Sequence, residues 1–221
     1  MKNRKSDFVC TKTLYNYISL SLIKVKNIDL PLRVKIKTKS RKDRKNRRIY
    51  GNSIESRPDK INERIDFVHW EIDTVIGTRK SSPVFLTLDE RVSRKRIIVK
   101  IDSKSTSAVK DVISKIVNHY GELATKIFKS ITSDNGSEFS ELSKAIPFTD
   151  IYYAHPYSSF ERVTNKKQNS LVRCFFPKWK RLEDVSDEAV FFVQEWINNL
   201  PRKIFNYSCS NDLFSQFLNN L

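Results

Sequence analysis

The stretch Phe67-Val68-His69-Trp70-Glu71-Ile72-Asp73-Thr74-Val75-Ile76-Gly77 decides how the rest of the chain is read. β-branched and aromatic residues dominate it and Gly77 halts it, which predicts a strand over 67–76. Asp73 lies inside that run, where alternate positions are otherwise apolar. A carboxylate there is costly to bury without a partner. It is therefore either a surface residue of an edge strand or a group aimed into a cleft.

Working outward, 84–88 and Arg96–Ile101 read as two further strands, each set off by a turn-length polar stretch. Three strands so spaced predict an antiparallel meander. Thr106–Tyr120 carries Val109, Val112, Ile113, Ile116 and Val117 along one helical face. A strand over 128–132 follows, then the loop Ser133-Asp134-Asn135-Gly136, a helix over 137–145 and a strand over Asp150–Tyr153. Helices are expected over 158–175, 187–198 and 211–220. The order, three strands and then alternating helix and strand, gives an α/β class with a mixed sheet and flanking helices. It is the order of the ribonuclease-H-like fold, in which the crossovers after Ile101 and Ile131 each need a helix.

Upstream, the chain changes character. Net charge is +16, and residues 1–50 hold 16 of the 41 Lys and Arg against three Asp. That is a local balance of +13, leaving +3 for the remainder by subtraction. A basic helical arm on a nearly balanced body points to a polyanion such as DNA, the bland reading being a solvated tail. Leu14, Tyr15, Ile18 and Leu22 predict an amphipathic helix within 1–32, with Thr11 or Thr13 as its cap. It reads as the remnant of a helix-turn-helix unit. Residues 33–66 read as a basic linker, in which Arg33, Lys35, Lys37, Lys39, Arg41, Lys42, Arg44, Lys45, Arg47 and Arg48 are candidate DNA contacts. The first half of 33–48 alternates and is compatible with a short strand. Residues 67–221 form the body.

Cys10, Cys174 and Cys209 are far apart and odd in number, against a disulfide framework or a zinc site. Neither a leader-like segment nor an apolar run near the length of a membrane span is present, so a reducing cytoplasm is expected. His69, His119 and His155 lack metal-ligand spacing, and His155 beside Pro156 reads as a turn or cleft-wall residue. Phe175, Phe176, Phe191, Phe192 and Trp196 stand at helical spacing and read as core. Ser158 and Ser159 have no partner base, against a serine nucleophile.

Asp134 follows the 128–132 strand at its C-terminal end, where ligand sites in α/β sheets gather. If that strand neighbours the one bearing Asp73, the two carboxylates can share a hard divalent cation. Paired ions of that kind clamp the attacking and leaving oxygens of a phosphodiester. The alternative is that Asp134 caps the helix at Ser137. The two acids and the basic arm together favour phosphodiester chemistry on DNA over any small-molecule substrate.

His69-Trp70-Glu71-x-Asp73-x-Val75-Ile76-Gly77, Leu86-Thr87-Leu88 and Ile131-Thr132-Ser133-Asp134-Asn135-Gly136-Ser137-Glu138-Phe139 resemble the DDE transposases of the insertion-sequence-thirty family. Ala154-His155-Pro156-Tyr157-Ser158-Ser159 with Glu161-Arg162, Phe176-Pro177-Lys178 and Leu200-Pro201-Arg202-Lys203 continue the match in order. The resemblance implies an integrase-type catalytic core, Mg²⁺- or Mn²⁺-dependent strand cutting and transfer, a homo-oligomer when active, and a location on bacterial DNA in the cytoplasm. It implies Asp73 and Asp134 as the first two metal-binding, catalytic acids.

At the third acid the match fails. The family pattern E-R-G-T-N-E-x-x-N-G meets Glu161-Arg162-Val163-Thr164-Asn165-Lys166-Lys167-Gln168-Asn169-Ser170 here, which puts Lys166 at the triad position. An ammonium cannot ligate Mg²⁺ and competes with the cation for both carboxylates. Glu161 is the fallback, although five residues on a helix turn a side chain about 140° away from that of Lys166. Val163, Ser170 and Trp179 also stand where the family has glycine, and the family carries a longer N-terminal DNA-binding region. The expectation is a truncated, inactive copy, with a non-catalytic DNA-binding remnant as the alternative.

Overall fold

Strand β2 (His69–Ile76) lies inside a six-stranded sheet in the computed structural model, which describes residues 9–30, 50–78, 82–155 and 163–221. The chain divides into two compact units, residues 1–45 and 46–221. In the first unit the described part is helix α1 (Thr11–Ser19) and a 3-10 turn at Asn27–Asp29. Helix α1 starts after Cys10 with no side-chain cap, so neither threonine caps it. Thr13 instead pairs its hydroxyl with Cys10 Sγ at 3.1 Å. Ile18 is buried and Leu14 and Tyr15 are exposed, while Leu22 lies past the helix end. Residues 33–48, with the strand read into them, fall outside the described residues.

The second unit carries β1 (Asn52–Ser53), β3 (Val84–Glu90), β4 (Arg96–Ile101), β5 (Ser130–Ser133) and β6 (Asp150–Tyr153), in the sheet order β1-β6-β5-β2-β3-β4. Strands β2, β3 and β4 form the antiparallel meander, and β5 joins β2 in parallel with β6 beyond it. Helix α3 (Thr106–Tyr120) makes the crossover from β4, capped by Ser105, whose hydroxyl accepts from Ala108 N. This is the ribonuclease-H-like arrangement. Alternation along β2 sends Trp70 and Ile72 to one face, where they pack with Leu86, Leu88, Val109 and Ile113. Val75 faces the other way and packs with Phe85 and Ile98 against α6 (Val163–Phe175) and α7 (Asp187–Asn198).

Helix α7 also finishes the sheet edge. Gln194 Oε1 accepts from Ile98 N and Asn198 Oδ1 from Arg96 N, both at 2.8 Å, while Asn198 Nδ2 donates back to Arg96 O. Four residues along a helix advance about 6 Å and two along a strand about 6.8 Å, so the i, i+4 amides match alternate backbone groups of β4.

Several sequence expectations change. Residues 50–66, read as the end of the linker, contribute β1, helix α2 (Asp59–Glu63) and the buried Arg57, which donates to Thr132 Oγ1 at 2.9 Å. That long-range contact is invisible to a composition argument. The helix expected over 137–145 is a 3-10 turn at Ser137–Phe139 and then the short α5 (Leu142–Ala145). The strand expected over 128–132 runs Ser130–Ser133, because Phe128 ends helix α4 (Ala124–Ile127) instead.

The aromatic set is only partly core. Phe176 is buried and Phe175 half-buried, but Phe191 and Phe192 are each 62% exposed and Trp196 is 40% exposed. Val190, Val193 and Ile197 form the inward stripe of α7. Two apolar stripes share that helix, and periodicity alone does not say which one meets the sheet. The C-terminal helix α8 (Ser210–Asn219) packs Phe214 edge-on to Trp70.

Candidate active site

Asp73 lies within β2, and Asp134 lies just past the end of the neighbouring parallel strand β5. In the parallel β2–β5 pair Glu71 stands opposite Thr132, and two residues further along each path come Asp73 and Asp134. Asp134 follows Ser133, the last residue of β5. Both acids are half-buried. Asp134 Oδ1 accepts from Gly136 N at 3.2 Å, closing an Asx turn in place of a helix cap. A Cβ on Gly136 would lie 2.6 Å from the Glu138 carboxylate, which is itself buried and paired with Lys104 Nζ at 2.9 Å.

Helix α6 crosses above this face. Asn169 Nδ2 donates to Asp73 Oδ2 at 2.9 Å, and Asn169 Oδ1 accepts from Arg96 Nη2 at 2.7 Å. Arg96 in turn makes a bidentate pair with Asp89 through two 2.6 Å bonds, with both side chains fully buried. Asp89 and Arg96 are cross-strand partners of β3 and β4, so the sheet register delivers the fork to the carboxylate. Gln168, one residue before Asn169, donates to Arg94 O at 3.1 Å. Sequence reasoning quoted Asn169 only as part of a motif and missed Asp89 and Arg96. The available signal was two opposite charges facing each other across neighbouring strands.

A second buried pair lies one strand repeat below Asp73. Glu71, which shares its face, is bonded to Arg91 in a site closed to solvent. Burial raises the Glu71 carboxyl despite the adjacent cation, and burial lowers the Arg91 guanidinium to about 10. Asn165, on the same helix as Asn169, is buried with neither side-chain polar atom hydrogen-bonded.

Position 166 lies on the described part of α6, three residues before Asn169. Glu161, Ser158 and Ser159 lie outside the described residues, as do the ten basic positions from Arg33 to Arg48. His69 pairs with Ser130 Oγ at 2.7 Å, and His155 approaches Glu55 at 3.4 Å. All three cysteines are free thiols. Among the described residues no helix is long and apolar enough to cross a membrane.

No family model matches the chain. It is 42% identical over 205 residues to the "Probable transposase for insertion-like sequence element IS1161" of Streptococcus salivarius, which covers 92% of this chain and 58% of that protein. It is 30% identical over 168 residues to the transposase for insertion sequence element IS4351 of Bacteroides fragilis, covering 75% of this chain and 50% of the relative. The Escherichia coli K12 transposase InsI for insertion sequence element IS30A is 30% identical over 173 residues, with 76% and 43% covered. The chain belongs to the IS30-type transposases. It spans about half the length of the curated relatives it matches.

Among the described residues no three His, Cys, Asp or Glu side chains gather where one ion can be held. One Asp73 oxygen already accepts from Asn169. Mg²⁺ requires near-octahedral oxygen coordination, toward which Asp73 and Asp134 could each supply carboxylate oxygens.

Proposed function

We propose that this chain is the DNA-handling, catalytic-domain portion of a transposase whose metal-dependent strand cutting and transfer is lost through Lys166. The observation that supports the reading is the parallel pairing of β2, which carries Asp73, with β5, which Asp134 follows, in a chain whose third-acid position is lysine. Residues three apart on a helix are neighbours, so position 166 and the Asn169 that touches Asp73 share one side of α6. An ammonium at a position where the family has a metal-binding carboxylate opposes the binding of a cation by direct charge competition. The proposed division is a helix-turn-helix-type segment over 1–32, a basic linker from 33 whose end (to 66) adds β1 and Arg57 to the body, and the catalytic domain over 67–221. DNA is the partner, contacted through the arm; the intact family architecture would work as a homo-oligomer in the bacterial cytoplasm, on the nucleoid.

The test is a nicking assay on supercoiled DNA with Mg²⁺ or Mn²⁺, alongside calorimetric titration of Mn²⁺. The unmodified chain is expected to neither nick nor bind Mn²⁺ measurably. Lys166→Glu is expected to gain Mn²⁺ binding, because it supplies oxygen ligands and removes the competing charge. Nicking that survives Lys166→Ala and disappears with Glu161→Gln would move the third-acid role to Glu161 and overturn the reading. Nicking indifferent to Asp73→Asn identifies a contaminating nuclease and leaves the proposal standing.

A further inference from the structure

Trp179 is 78% exposed, the most exposed of the large hydrophobic side chains among the described residues. It sits at the tip of the turn Pro177-Lys178-Trp179-Lys180, closed by Lys180 N donating to Pro177 O at 2.9 Å. Both ends of the turn are anchored: Phe176 before it and Leu182 after it are buried in the core between sheet and helices. The turn is also fastened to the strand that carries Asp73. Thr78 N donates to Lys180 O at 3.2 Å, and Arg173 Nη2 donates to Ile76 O at 2.7 Å. A Cβ on Gly77 would lie 2.7 Å from Lys180 O and from Leu182 Cγ, so only glycine lets the turn approach this closely. Gly77 is four residues beyond Asp73, roughly 13 Å along the strand direction.

The chemistry around the ring is cationic, not apolar. Lys178 and Arg181 are exposed, and Lys180 holds its ammonium 5.8 Å from the Phe176 ring centre, which leaves the Trp179 ring open. The two nearby carboxylates, Glu183 and Asp184, follow Leu182; Glu183 accepts from Ser82 N at 3.3 Å and stands 3.9 Å from Arg181 Nε. A protein-docking hot spot would sit in a contiguous apolar patch. An exposed indole set among lysines and arginine is instead the pattern of single-strand binding, where cations hold phosphates and an aromatic face stacks a base.

We infer that Trp179 is a stacking platform for an unpaired base of DNA, positioned beside the C-terminal end of β2 by the turn at 177–180. The inference rests on the DNA-handling reading above and adds to it the strand state that is recognised. Duplex bases are already stacked on one another and do not offer a free face, so the preference is for single-stranded or frayed DNA.

The experiment measures fluorescence anisotropy of a labelled single-stranded oligonucleotide and of the blunt duplex of the same sequence, at one fixed low salt concentration. Trp179→Ala is expected to weaken single-strand binding about tenfold or more. Duplex affinity should move by less than about twofold, since phosphate contacts carry it, and Trp179→Phe should retain most of the single-strand affinity. In a Trp196→Phe background, emission comes from the buried Trp70 and from Trp179, so stacking is read directly as quenching on addition of the single strand. Unchanged single-strand affinity with no quenching, while DNA still binds, overturns the stacking role and leaves the DNA-handling reading in place. Loss of self-association in Trp179→Ala with DNA binding unchanged assigns the ring to a protein contact, and also overturns it. Failure of the unmodified chain to bind either DNA overturns both readings together.

Discussion

Asn169 Nδ2 donates to Asp73 Oδ2 across 2.9 Å, and that bond ties the helix carrying position 166 to the first carboxylate itself. The same amide accepts from Arg96, so three elements, β2, β4 and α6, meet at one side chain.

Asn169→Ala is accordingly expected to destabilise the fold by about 1–3 kcal/mol, since it withdraws an acceptor from a buried guanidinium that already has Nη1 without a hydrogen bond. Urea unfolding followed by far-UV circular dichroism reads the change as a lower midpoint with the same slope. An unaltered midpoint would mean that the Asn169 bridge contributes nothing.

The Asp89–Arg96 fork is fully closed to solvent, which makes its two halves interdependent. Asp89→Leu or Arg96→Met alone is expected to cost about 3–5 kcal/mol by stranding a buried charge. The double replacement should be much milder than the sum of the singles. Additive losses in a double-mutant cycle would contradict this.

The sheet was legible in the sequence for a physical reason. Strands β3 and β4 announce themselves by β-branched runs bounded by turns, and α3 by a 3.6-residue apolar repeat beside a serine cap. The strand bearing Asp73 and the strand that Asp134 follows were also expected to be neighbours, and the register pairs those two strands in parallel. What periodicity does not carry is contact between distant segments. Arg57 reaching Thr132, and Asn169 reaching Asp73, are decided by packing of the whole sheet. Phe191 and Phe192 show the converse limit, where an apolar stripe faces solvent.

Glu90 supplies a pH prediction. Its carboxylate is buried and accepts from Val68 N, Val92 N, Ser93 N and Ser93 Oγ. Burial pushes its carboxyl above the ordinary 4.5, which means the folded chain holds that proton more tightly than the unfolded chain. The stability contribution is complete below the unfolded value and is lost as pH rises through the folded one. Relative to the unmodified protein, Glu90→Gln should therefore look least stable near pH 4 and gain steadily toward pH 7. Parallel stability curves for the two proteins would refute this linkage.

Gly77 and Gly136 should respond differently to a methyl group. Gly77→Ala meets a backbone carbonyl and a fully buried leucine, so a loss of about 1–3 kcal/mol is expected, with displacement of the turn bearing Trp179. Gly136→Ala meets only the far end of the Glu138 side chain and should cost less. Thermal midpoints measured side by side give the ranking, and a reversed order would argue against the close approach at Gly77.

For the arm, neutralising Arg41, Lys42, Arg44 and Lys45 together should flatten the dependence of duplex affinity on salt. The logarithmic slope is expected to fall by roughly 0.9 for each phosphate contact removed. A slope identical to that of the unmodified chain would make the arm a solvated tail.

The amides of Gln194 and Asn198 have a further consequence for the molecule in a crowded solution. Strand β4 is the last strand on its side, and an uncovered row of its N–H groups would be a template on which a strand from a neighbouring molecule could add. By occupying Arg96 N and Ile98 N, two side chains of α7 terminate hydrogen-bonded growth of the sheet without adding another strand. The helix thereby guards this border of the sheet against fibrillar association.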